Sequence, residues 1–188
     1  MEQVLYDSMA QNPVIAAVKD MDGLEECCRL EEIGIVFILF GDVCTISGIT
    51  RRAKAAGKIV MVHLDLIAGL SAREISVDFV KQNTAADGII TTKPALIKRA
   101  KALSLYTVLR YFLIDSMAFE NIRQQNAVKP DLIEVLPGVI PKAIKRICRT
   151  SQTPIIAGGL INDKEDVMGA LSSGAIAVST TNRSVWLL

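Results

Sequence analysis

What this 188-residue chain lacks most is net charge. Its 21 lysines and arginines stand against 20 aspartates and glutamates, so no bulk field draws it onto nucleic acid or an anionic membrane, and any such contact must be local. Histidine occurs once, at His63, leaving no second imidazole to build a metal site with it. The four cysteines, Cys27, Cys28, Cys44 and Cys148, have neither C-x-x-C spacing nor a histidine cluster beside them, which argues against metal or redox chemistry and for buried reduced thiols. Aromatic residues make up 5% of the chain, so neither the stacking platform of an RNA-recognition sheet nor an oligonucleotide-barrel signature is visible. The longest apolar run, residues 33–40, falls far short of the ~20 residues a membrane helix needs. The opening Met1-Glu2-Gln3 has no basic segment ahead of an apolar one. The expectation is a cytoplasmic protein without metal, cofactor or membrane contact. There is no linker or low-complexity tract, which predicts one domain over residues 1–188, a length at which about 70% of the unfolded surface is buried.

What is present is a regular alternation. Short apolar, β-rich runs begin near Val14, Ile35, Lys58, Gly88, Tyr106, Asp131, Pro154 and Ala175, with helical patterning between them. Runs such as Val36-Phe37-Ile38-Leu39 are apolar on both faces, which suits strands of a parallel sheet covered on both sides. Eight such units predict a single-domain (β/α)8 TIM barrel. The final helix must be short, since only residues 182–188 remain for it. Gly34, Gly57 and Gly174 stand where left-handed helix ends are expected, Ser71 to Glu74 and Asn162 to Glu165 resemble capping boxes, and Pro94 and Pro141 fit first helical turns. The first dozen residues are expected to form a helix closing the barrel floor, with Val4, Leu5 and Met9 turned inward. Residues 64–70 lengthen the connection after the third strand and are a candidate lid, or else a packed surface loop.

The last third carries the strongest functional signal. Two buried runs end in Gly158-Gly159 and in Ser179-Thr180-Thr181. Glycines let the main chain approach a ligand, and a hydroxyl-rich turn adds N–H and O–H donors, so the pair reads as a phosphate cradle where (β/α)8 barrels often hold phosphate, after strands seven and eight. The same register brings Lys19, His63, Asp65, Thr91, Thr92, Lys93, Arg110 and Glu134 to the mouth. Arg110 interrupts an apolar run and must meet an acid, a carbonyl or a ligand, with Glu134 or Asp65 as structural alternatives. Asp65 and Glu134 could accept hydrogen bonds from ligand hydroxyls or serve as acid and base. His63 reads more as a hydrogen-bonded structural residue than a catalyst. On the outer helices, Lys98, Arg99 and Lys101 form the basic cluster singled out for RNA phosphates, although cations near helix ends also simply complement the dipole.

The chain resembles the glycerol-3-phosphate-responsive antiterminator family, regulators of glycerol uptake operons. The likeness is carried by Asn12-Pro13-Val14-Ile15-Ala16-Ala17-Val18-Lys19, by Val62-His63-Leu64-Asp65-Leu66-Ile67-Ala68-Gly69-Leu70, by Asp87-Gly88-Ile89-Ile90-Thr91-Thr92-Lys93, by Arg110-Tyr111-Phe112-Leu113-Ile114-Asp115-Ser116, by Glu134-Val135-Leu136-Pro137-Gly138, and by the two cradle segments. The resemblance implies a phosphate-binding barrel that senses glycerol-3-phosphate and acts on leader mRNA to prevent early termination. It implies phosphate at Gly158, Gly159, Ser179, Thr180 and Thr181, and glycerol hydroxyls or the phosphate flank near Lys19, Asp65, Arg110 and Glu134. The alternative is a TIM-barrel isomerase, aldolase or synthase acting on a small phosphorylated substrate, using Asp65, Glu134, His63 and Lys93. A regulator is expected over an enzyme, and the oligomeric state is left open, an oligomer included.

Overall fold

The computed structural model describes residues 2–124 and 128–188. Eight strands, β1 (Val14–Val18), β2 (Ile35–Ile38), β3 (Ile59–His63), β4 (Gly88–Thr91), β5 (Tyr106–Phe112), β6 (Leu132–Leu136), β7 (Ile155–Gly158) and β8 (Ala177–Thr180), close into a barrel in sequence order. All eight pairings are parallel, and β1 meets β8 at Val14 and Val178 to close the ring. The crossovers are α2 (Met21–Arg29), α3 (Ile46–Ala55), α4 (Glu74–Asn83), α5 (Pro94–Ala102), α6 (Ser116–Gln124), α7 (Pro141–Thr150) and α8 (Lys164–Ser172), preceded by α1 (Glu2–Gln11). This is the (β/α)8 TIM barrel, and each of its eight strands begins within two residues of the expected start.

Alternation along each strand explains why both faces are apolar. Ile15, Phe37, Met61, Ile90, Val108, Leu132 and Ile156 fill the barrel interior as one cluster. Their neighbours Val14, Val36, Val60, Ile133 and Val178 pack outward with the helices in a second. The floor is closed by α1, whose Leu5 and Met9 join the interior cluster. Val4 does not: it is 60% exposed, because residues one apart on a helix lie about 100° apart and only one of the two can face the barrel. After β8 the chain forms a 3-10 turn over Arg183–Leu187. Its Val185 and Trp186 are buried, Trp186 Nε1 donates to the Thr180 carbonyl at 2.9 Å, and Arg183 pairs with Asp20 and Glu26.

Several local expectations shift. Gly57 and Gly174 take the left-handed conformation, but Gly34 does not. A Cβ at Gly34 would lie 2.2 Å from Ser8 Oγ, so any larger residue there would have to displace the Ser8 hydroxyl of α1. The helix α4 starts at Glu74 with Arg73 at its cap and no side-chain capping bond; Ser71 instead donates its N–H to Ser76 Oγ. In α8 the box sits one residue later, with Asp163 accepting from the Asp166 N–H and Asp166 accepting from the Asn162 N–H. Pro94 and Pro141 open α5 and α7. Among the cysteines Cys27 is buried, Cys28 and Cys148 are partly so, and Cys44 is exposed, all as free thiols. No helix among the described residues is long and apolar enough to cross a membrane.

Truncating the floor separates its two faces. Leu5→Ala should cost about 2–5 kcal/mol in denaturant unfolding through the cavity it leaves, whereas Val4→Ala should stay within about 0.5 kcal/mol. Equal losses for the two variants would contradict this orientation of α1.

Candidate functional site

At the C-terminal end of the barrel, β5 and β6 place Arg110 and Glu134 in register on neighbouring strands. Glu134 is completely buried and Arg110 nearly so. Glu134 Oε2 accepts the Arg110 Nε–H at 2.5 Å, and its Oε1 accepts the Ser179 hydroxyl from β8. Both carboxylate oxygens are therefore engaged, which a buried charge requires. Neither Arg110 Nη group has a hydrogen-bond partner among the described residues, and Arg110 lines the cavity above. A guanidinium held by Nε with both Nη groups spare is oriented for a bidentate anion contact.

That cavity measures about 240 Å³ and lies over the ends of β6, β7 and β8, between Arg110, Leu136, the segment 159–162 and the segment 179–182. Gly159 sits at φ +73°, which only glycine adopts freely. Among the described residues no hydrogen bond takes up the backbone N–H of Gly159, Leu160, Ile161 or Thr181, although all four residues line the cavity. The two loops hold each other in place: Thr180 Oγ1 donates to the Ile161 carbonyl at 2.7 Å, and Asn182 Nδ2 donates to the Asn162 carbonyl at 2.9 Å. Spare amides on a pre-set frame suit an anion. The α8 N-terminus does not serve it in the same way, because Asp163 and Asp166 already occupy that end.

The expected site residues thus divide. Gly159, Ser179, Thr180, Thr181, Arg110 and Glu134 come together around the cavity. Gly158 does not line it. A Cβ there would lie 2.5 Å from Ser179 Oγ and 2.6 Å from Glu134 Oε1, so that glycine makes room for the ion pair inside the barrel. The hydroxyl protons of Ser179 and Thr180 are spent internally, on Glu134 and on Ile161. Lys19 is exposed at the end of β1 and shares a small hollow with Thr181, Arg183 and Trp186. Lys93 is exposed at the start of α5. Asp65 lies on a 3-10 turn and accepts from Thr91 Oγ1, Thr92 N and Thr92 Oγ1 at 2.7–2.9 Å. Burial opposes its ionisation, yet those bonds and the neighbouring His63 hold its carboxyl below the usual range.

The segment 64–70 is not a free lid. Leu64 and Ile67 are buried, and Ala68 pairs with the β2 connection through Val43 N–H to Ala68 O and Ala68 N–H to Gly41 O, each 3.0 Å. His63 is buried, and its Nδ1 has no hydrogen-bond partner among the described residues. Burial and the Arg110 charge push its pKa down to about 4, against a smaller upward pull from Asp65. On α5, Arg99 bonds Asp78 of α4 and Lys101 pairs with Asp131 at 3.1 Å, so two of the three cations proposed for RNA are structural ties and Lys98 alone is exposed and unpaired. Asn162, Asn182, Leu160 and Leu136 line the cavity without having been singled out from sequence. The positions of Asn162 and Asn182, three residues and one residue beyond the cradle motifs, were the available signal.

The model of the family described as glycerol-3-phosphate responsive antiterminator matches residues 14–186. The uncharacterized protein YgcP of Escherichia coli (strain K12) is 44% identical over 185 residues, covering 98% of this chain and 96% of that protein. Two crystal structures are each 34% identical. The glycerol uptake operon antiterminator regulatory protein of Listeria monocytogenes has TM-score 0.89, with 94% of this chain and 95% of that chain covered. A glycerol uptake operon antiterminator-related protein of Thermotoga maritima has TM-score 0.83, with 93% and 98% covered.

The histidine makes a pH prediction. His63 titrates near 6.5 when unfolded and near 4 when folded, so between those values the unfolded chain binds more protons. Its contribution is fully present above about pH 6.5 and is lost as pH falls toward 4, by on the order of 3 kcal/mol. Urea unfolding from about pH 7 to about pH 4.5 should show a steeper loss for the wild type than for His63→Gln; parallel profiles would contradict it.

Proposed function

This chain belongs to the glycerol-3-phosphate responsive antiterminator family, and from that premise we propose that it is a glycerol-3-phosphate-sensing regulator that binds leader mRNA and causes antitermination of glycerol-utilisation genes in the cytoplasm. The observation that carries the ligand half of this reading is that Gly159, Leu160, Ile161 and Thr181, whose amides have no hydrogen-bond partner among the described residues, line the same cavity as Arg110. Phosphate takes the amides and the Thr181 hydroxyl on one side and the Arg110 Nη groups on another. Glu134 acts through Arg110, fixing the guanidinium in place. Hydrogen bonds to a charged group contribute about 1.5–3 kcal/mol each, so three or four of them bring a ligand this small into the micromolar range, near −8 kcal/mol. Lys19 and Asp65 do not line this cavity, and in this reading they flank the glycerol end of the ligand.

Acid–base catalysis on a phosphorylated substrate is the weaker reading. Glu134 is wholly buried and tied to Arg110 and Ser179, and Asp65 is tied to Thr91 and Thr92, so both carboxylates serve the frame, whereas a general base must reach the proton it removes. A regulator needs only differential binding: a ligand coupled to RNA affinity by about 1–3 kcal/mol changes that affinity about 5- to 150-fold.

Calorimetric titration with glycerol-3-phosphate should give saturable binding that glycerol does not reproduce. Arg110→Lys, which keeps the charge but loses the planar fork, should weaken it by about 10- to 100-fold, the equivalent of one charge-assisted hydrogen bond. Wild-type affinity in that variant would overturn the site. Turnover of a triose- or glycerol-phosphate that stops in Glu134→Gln would favour the enzyme instead.

A further inference from the structure

The outer helices carry their cations in two different ways. On α3, Arg52 pairs with Glu25 and Lys54 with Asp87; on α5, Arg99 pairs with Asp78 and Lys101 with Asp131. On α7 the pattern is Pro141-Lys142-Ala143-Ile144-Lys145-Arg146-Ile147-Cys148-Arg149-Thr150. Ile144 and Ile147 face the barrel, while Lys142, Lys145, Arg146 and Arg149 are all exposed. Their spacing of i, i+3, i+4 and i+7 puts them on one stripe. The helix contains no acidic residue, and none of the four forms an ion pair among the described residues. Four like-charge pairs at helical contact spacing repel one another, and Lys142 lies in the first turn, where the helix dipole disfavours a cation. Arg146 has its guanidinium 4.6 Å from the centre of the Phe119 ring. Among the described residues no ion pair offsets this concentration of charge, and an external polyanion is a group that would.

The connection of this helix to the cavity is short. Leu136, the last residue of β6, lines the cavity; Gly138 donates its N–H to the Gly159 carbonyl at 3.0 Å; and α7 begins three residues later, at Pro141. Of the basic helices, α7 alone emerges from the strand that carries Glu134. We propose that the exposed face of α7 formed by Lys142, Lys145, Arg146 and Arg149 is the surface on which the RNA backbone docks. This rests on the reading of the protein as an RNA-binding regulator, and it moves the contact away from Lys98, Arg99 and Lys101. RNA fits better than an anionic bilayer because the stripe has no apolar residue interleaved to enter the interface. Its four cations repeat along one line, as a chain of phosphates does.

The test uses the full chain and the leader transcript of the glycerol-utilisation genes. A gel-shift titration in glycerol-3-phosphate compares the wild type with Lys145→Gln/Arg149→Gln, Lys145→Glu/Arg149→Glu and Lys98→Gln. Both α7 variants should lose about tenfold or more in affinity at ~0.1 M salt, with the slope against log salt falling by about 0.7 for each phosphate contact removed. Lys98→Gln should bind as the wild type does. Calorimetric binding of glycerol-3-phosphate should be unchanged in every variant, which also reports that each is folded. Loss of RNA affinity in Lys98→Gln with retention in the α7 variants overturns this surface and leaves the regulator reading standing. A wild type that binds glycerol-3-phosphate but not the transcript overturns both, as does retention on phosphatidylglycerol vesicles without affinity for RNA.

Discussion

The mouth of this barrel is organised by one buried ion pair. Glu134 has no exposure at all, and a carboxylate in that position survives only if its oxygens are taken. Arg110 takes one and Ser179 the other. Removing either charge would leave its partner buried and unmatched, a loss of about 3–5 kcal/mol. The pair therefore does more than hold β5, β6 and β8 together. It fixes the direction of a guanidinium whose remaining donors have no internal use, and it forces glycine at position 158, where any side chain would collide with it.

The cradle is arranged around that pair. The hydroxyls of Ser179 and Thr180 serve the frame, one by capping Glu134 and the other by tying β8 to the Ile161 carbonyl. What they leave for a ligand are main-chain N–H groups, fixed in number and direction by the backbone. Such groups discriminate charge and shape with little reorganisation. The 3-10 turn after β8 serves the same frame: it buries Trp186 against Thr180 and anchors Arg183 on Asp20 and Glu26, which holds the last loop in place.

Much of this was legible in the sequence, for physical reasons. Strands apolar on both faces announce a covered parallel sheet, and eight of them at crossover spacing announce the barrel. Arg110 and Glu134 stood out because a charge inside an apolar run must be paired. What sequence could not give is which donor spends its proton on which acceptor. The glycine at 158 and the hydroxyls at 179 and 180 looked like ligand groups, since residue type alone does not separate a group that touches phosphate from one that supports the group that does. The loop at 64–70 read as either a lid or packed surface because length is visible in sequence, whereas the pairing of Ala68 with the β2 connection, which decides for packing, is not. Arg99 and Lys101 looked free because Asp78 and Asp131 lie 21 and 30 residues away along the chain but beside them in space.

The claim on which this account turns is that the amides of Gly159 and Thr181 hold an anion. An amide-resolved NMR titration of the isotopically labelled chain tests it directly. Adding glycerol-3-phosphate should move the Gly159, Leu160, Ile161 and Thr181 amide resonances downfield along one saturable curve, and glycerol should leave them still. If those four resonances stay fixed while the ligand shifts amides elsewhere, such as those around Lys129 and Asp131 on the barrel floor, the anion is bound in another place and the account is wrong.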